Sequence, residues 1–159
     1  MKIKRVDREI EWKATVWEWE RNARTIIFGC DIEEIEIEEI VLCKIDKIDP
    51  DYYFWENLEY EDKIPLGLTV ARFFNDNPNK IPKKWAGKKI IFSGTVKIQY
   101  IDGRYKSFLF GGPDEEYYHY YCLTVEKNGK SAFLEPIRVD HCKRGQILAA
   151  YPDGSENKN

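Results

Sequence analysis

Residues Lys83–Gly112, KKWAGKKIIFSGTVKIQYIDGRYKSFLFGG, decide how the rest of the chain is read. Two runs of alternating apolar and polar side chains flank Asp102-Gly103, and Asp-Gly between such runs is a strong short-range hairpin signal. A type I′ turn there pairs Ile101 with Arg104, Tyr100 with Tyr105, Ile98 with Ser107 and Val96 with Leu109. Ile90, Phe92, Val96, Ile98, Tyr100, Tyr105 and Leu109 then share a core face. The reverse face carries Lys89, Ser93, Thr95, Lys97, Gln99, Arg104 and Lys106, with Ile91, Ile101, Phe108 and Phe110 among them. A slip of one residue exchanges the two faces, so this register is a commitment.

Downstream, Tyr117–Glu126 and Ser131–Ile137 form a second hairpin around Asn128-Gly129, again a type I′ signal, with Val125 opposite Ala132 and Leu123 opposite Leu134. His119 falls on the same inward parity. Residues 138–150 supply a last short strand, and 153–159 form a polar, disordered tail. Upstream, one helix starts after Thr69, a natural N-cap, turns Val70, Phe73 and Phe74 toward the core, and stops at Asn77-Pro78. Lys80–Lys84 is a basic connector broken by proline.

The first 65 residues also read as strands. Ile10, Trp12, Ala14 and Val16 alternate with polar residues, and then the parity slips at Trp17 and Trp19. Either a bulge sits near Val16, or the two tryptophans point away from the first core face. Arg24–Cys30 is a second strand. Ile35, Ile37, Val41, Cys43 and Ile45 share a parity broken only by Glu39, which argues for one long strand with Glu34, Glu36 and Glu38 on its reverse side. Beyond Pro50, Tyr52, Tyr53, Phe54, Trp55 and Tyr60 interleave with acids, in a loop that either packs over the core or makes contacts. The fold class is therefore mainly β with one short helix (α+β). The architecture is an antiparallel sheet or a partly open barrel with a β-rich N-terminal half packed on it. One domain spans 1–152, divisible into halves at 1–65 and 66–152.

Composition agrees with a globular chain: 43% hydrophobic, 33% charged and 14% aromatic over 159 residues. No apolar run approaches the roughly 20 residues that cross a bilayer, so no membrane partner is expected. The opening MKIKRVDREIEWK lacks the apolar core of a secretory signal. Cys30, Cys43, Cys122 and Cys142 contain no CxxC, and without such a signal they read as free thiols of a cytoplasmic protein. Net charge is −3 but unevenly spread: −8 over 1–65 and +5 over 66–159. The extreme is Asp31–Asp62, where 13 acids face only Lys44 and Lys47, net −11.

Trp85, Gly87, Lys88, Lys89, Gly94, Thr95 and Val96, in WAGKKIIFSGTV, are followed by a hairpin and further strands. This segment, about residues 85–125, resembles the first strands of small bacterial OB-fold domains. The resemblance implies a five-stranded barrel of the kind often used for oligonucleotide or partner binding. OB-fold faces combine basic residues with aromatics on which bases stack; here Lys89, Lys97, Arg104, Lys106, Phe108 and Phe110 have that character.

Motifs for common chemistries are missing: no GxxxxGK[ST], no GxSxG and no HExxH occurs. His119, Cys122, His141 and Cys142 are four possible donors without the spacing of a closed zinc site. Neither a metal, nor a cofactor, nor catalysis is expected. The expected function is a non-enzymatic binding protein whose acidic, aromatic surface docks a basic protein partner. Small acidic inhibitors of the immunity-protein type work in this way. Glu34, Glu36, Glu38, Trp17, Trp19 and Trp55 are its candidate contacts. The alternative is an OB-like module that binds single-stranded nucleic acid on the basic hairpin face. The sequence leaves the oligomeric state open.

Overall fold

A computed structural model describes residues 2–4, 24–27, 34–45, 63–101 and 115–152. Over these the chain is mainly β with one α-helix. The strands are β1 (Lys2–Lys4), β2 (Arg24–Ile27), β3 (Glu34–Glu36), β4 (Val41–Lys44) and β5 (Lys63–Pro65), then β6 (Lys89–Ile101), β7 (Glu115–Val125), β8 (Ala132–Arg138) and β9 (Ile147–Pro152). The helix, α1, spans Leu68–Asp76. The main sheet runs β4-β9-β6-β7-β8, with β2 added along β6 and β5 along β9; β1 and β3 pair separately. Every pairing is antiparallel except β6 with β9, so the open sheet is mixed rather than wholly antiparallel. Strands from both halves of the chain build it, because β2 joins β6 while β4 and β5 join β9.

Long β6 is the spine, and its partner corrects the first expected hairpin. Ile101 lies opposite Glu115 and Tyr100 opposite Glu116, not opposite Arg104 and Tyr105. Ile98 has Arg24 on one edge and Tyr118 on the other, which leaves no edge for Ser107. The local turn signal at Asp102-Gly103 is outweighed by pairing with the 11-residue strand β7, nine of whose residues hold register positions along β6. The second hairpin keeps its expected register, Val125 opposite Ala132 and Leu123 opposite Leu134. Its loop holds four residues instead of two, closed where the Glu126 N–H donates to Ser131 O at 2.9 Å. Gly129, with φ 69°, follows the turn in the left-handed conformation that costs glycine nothing.

One core face was expected for β6, and there are two. Between Phe92 and Lys97 the strand advances five residues while β7 advances two, from Tyr121 to His119. This irregularity turns the strand over. Ile90 and Phe92 pack in the layer with α1, whereas Ile91 and Val96 pack in the layer on the reverse side. Ser93 and Thr95, expected on a solvated face, are buried. Gly94 marks the bend: a Cβ there would lie 2.5 Å from Pro65 O and 2.8 Å from the Leu66 carbonyl carbon. The segment entering α1 runs through this gap, with the Leu66 N–H donating to Ala149 O on β9 and Leu66 O accepting from Gly94 N–H on β6.

The helix begins at Leu68, with Gly67 at the N-cap position rather than Thr69. Glycine has no side chain to offer, and the Leu68 N–H donates instead to Thr95 Oγ1 at 2.9 Å. A hydroxyl from the sheet thus does the work of a local cap. Leu68, Ala71 and Phe74, three apart, and Val70 are buried, as the helical period requires. Phe74 meets the fully buried Trp85 edge-on at 4.8 Å between ring centroids. The Asn77 N–H and Nδ2 both donate to Phe73 O at 2.9 Å, and Pro78 ends the helix as expected.

Candidate functional site

The acidic stretch is not one long strand. β3 stops at Glu36, residues Ile37–Glu39 make a 3-10 turn, and β4 resumes at Val41. Burial explains the break. Ile35, Ile37 and Ile40 all pack in the α1-side core, and no extended strand can put both Ile37 and Ile40, three apart, on one face. After the turn, Val41, Cys43 and Ile45 pack on the reverse side of the sheet.

The turn raises Glu38 and Glu39 into solvent, with Glu36 half-buried beside them. Glu38's own backbone N–H holds its carboxyl below the usual carboxylate range, so it is charged at neutral pH. Tyr151 on β9 clasps the turn. Its hydroxyl donates to Glu39 Oε2 at 2.7 Å and accepts from the Glu36 N–H at 3.3 Å. Burial, then the hydrogen bond to Glu39, pushes the Tyr151 pKa up, so the hydroxyl keeps the proton it donates. Antiparallel pairing of β1 with β3 sets Lys2 opposite Glu36 and Lys4 opposite Glu34, opposite charges at facing register positions.

Of the expected acidic contacts, Glu36 and Glu38 stand together at this turn, and Glu34 heads the strand leading into it. Glu38 lies on the turn and not in a linear row with the other two. Trp17, Trp19 and Trp55 lie outside the described residues. Of the basic set, Lys89 is exposed at the start of β6, and Lys97 holds a register position opposite His119 and Thr25. Arg104, Lys106, Phe108 and Phe110 lie outside the described residues. Glu39 and Tyr151 were missed. Glu39 did carry a signal, since it broke the alternation and the break is the turn; Tyr151, 112 residues away, carried none.

His119 and Cys122 are three apart on β7 and leave opposite faces, with Cys122 in the layer away from α1. They cannot converge on one ion. Among the described residues no group of three or more His, Cys, Asp or Glu could hold a metal. Burial, then the Glu135 charge, pushes the Cys122 thiol up, the opposite of a reactive cysteine. Cys43, Cys122 and Cys142 are free thiols. Arg138 stacks over the Tyr117 ring at 4.2 Å, a cation–π contact between β8 and β7. Among the described residues no helix is long and apolar enough to cross a membrane. Comparison with protein-family models, with curated proteins and with solved structures finds no match to this chain.

Proposed function

We propose that this chain is a non-enzymatic binding protein that docks a basic protein partner on the acidic turn at Glu36–Glu39. The observation that carries the reading is the way the turn is held. Ile37 and Ile40 anchor it in the core on either side of Glu38 and Glu39, and Tyr151 fixes Glu39 from another strand. Charges fixed in place before contact lose less conformational freedom on binding than charges on mobile side chains. A concentrated acidic field also speeds encounter with a cationic surface. An inhibitor of the immunity-protein type is the kind of molecule this suits.

A lysine- and arginine-rich peptide titrated into isotope-labelled protein tests it. Amide shifts concentrated at Glu36–Ile40 and Tyr151 support the reading. The double reversal Glu38→Lys, Glu39→Lys should slow association about tenfold at low salt. Shifts elsewhere, or an unchanged rate, refute it.

A further inference from the structure

The opposite end of the sheet carries the other sign of charge, and sequence order conceals it. β4 ends at exposed Lys44, whose register partner is Ile147, the first residue of β9. Ile147 in turn lies beside Ile90, next to exposed Lys89 at the start of β6. The turn before β9 carries exposed Lys143 and Arg144 and is tied to the end of β4, with the Gly145 N–H donating to Ile45 O at 2.9 Å. On the other side of β6, the loop between β7 and β8 carries exposed Lys127 and Lys130. It is locked to the segment entering β6: the Gly87 N–H donates to Glu126 O at 3.1 Å, and the Val125 N–H donates to Lys88 O at 2.9 Å.

Four separate segments, 44–45, 83–89, 126–131 and 143–146, therefore meet along one rim. Where bonds tie them together (44–45, 86–89, 126–131 and 143–146), they hold seven lysines and arginines against a single acid, Glu126, in a chain of net charge −3. Five strands, β4, β9, β6, β7 and β8, span the rim, which at the usual strand spacing is about 19 Å long. Beside it stands Phe133, 46% exposed, the only exposed large apolar side chain among the described residues. Phe133 lies opposite Thr124, and Thr124 lies opposite Lys89, so one cross-strand row carries the aromatic ring and a rim lysine on the same face.

We infer that this rim binds single-stranded nucleic acid, its cations tracking the phosphates and Phe133 stacking on a base. The inference stands independently of the acidic turn and its partner. The ligand is a polyanion because like charges gathered from four segments repel one another until phosphates neutralise them. An exposed aromatic ring beside such a row of cations is the stacking platform that unpaired bases use. Among the described residues the one helix, α1, has its Leu68, Ala71 and Phe74 face buried, so it does not offer the free helix that major-groove reading uses.

Fluorescence anisotropy with a labelled thymidine oligonucleotide tests the inference on the full chain. With four phosphates contacted, affinity should fall about 300-fold between roughly 25 and 200 mM salt. The double variant Lys89→Gln, Lys127→Gln removes two contacts and should cut that salt effect to about 20-fold. Phe133→Ala should weaken binding about tenfold and leave the salt slope as it was. Circular dichroism confirms that each variant is folded, as expected for changes at exposed positions. Absence of binding at low salt overturns the inference. So does oligonucleotide binding that neither variant changes, or binding to phosphatidylserine vesicles in place of the oligonucleotide.

Discussion

The acidic and basic ends of this sheet are built in opposite ways. The acidic end comes from one short run, Glu34–Glu39, which the core bends into a turn and one distant tyrosine clasps. The basic end is assembled from four segments up to about 100 residues apart in sequence, which only strand register brings together. A charged surface can thus be written as a run of like residues or as single residues at the same end of many strands. The first kind shows in a sequence, and the second stays hidden until topology is known. Both hang from one element, since β6 starts at the rim and its bend carries the segment that leads to α1.

The change expected to erase both ends at once is Gly94→Val. Its Cβ would meet Pro65 O at 2.5 Å, backbone that cannot step aside, and the variant should lose more than about 4 kcal/mol or fail to fold, as denaturant titration would show. High pH should weaken the fold that carries both ends. Burial pushes the Tyr121 hydroxyl up to about 12, from a usual value of 10.0. A raised pKa favours the folded state while the hydroxyl stays protonated. That stability is complete below pH 10, where the unfolded chain also keeps its proton, and is lost as pH climbs from 10 to 12. Solvent screening holds the loss to at most about 2 kcal/mol, and Tyr121→Phe should flatten that part of a stability-against-pH curve.

Two milder changes should separate the ends. Thr95→Val removes the hydroxyl that caps α1 and should cost about 1–2 kcal/mol, measured by the thermal midpoint, while the rim strands keep their register. Tyr151→Phe should cost about 1 kcal/mol and act on the acidic end alone, freeing Glu39 while leaving oligonucleotide affinity unchanged.

Much of the fold was legible in the sequence because alternation is a local property. The β7–β8 register, the helix stop at Asn77 and the late strand β9 all follow from residues close together in the chain. The errors share a cause: each was a local signal overruled by a distant one. Asp102-Gly103 argued for Ile101 opposite Arg104, yet β7 takes that edge. Thr69 is a good cap by type, yet Thr95 already occupies the role from across the core. The shared parity of Ile35, Ile37, Val41, Cys43 and Ile45 argues for one long strand, yet Ile37 and Ile40 both needed burial. At the candidate sites the same rule held. Glu36 and Glu38 were visible as a charge run, whereas Tyr151 and the company of Lys89 at the rim were not.

The hydroxyl that caps α1 also couples the formation of the helix to that of the sheet. A nine-residue helix is too short to persist alone in water, since isolated helices below about 12–15 residues are marginal. Its first turn is capped by Thr95, 27 residues further along the chain, and Gly67 lies against Gly94 and Thr95 where a side chain would clash. Helix formation here is a report that β6 is in place, and a probe of α1 should therefore follow the same kinetics as a probe of the sheet.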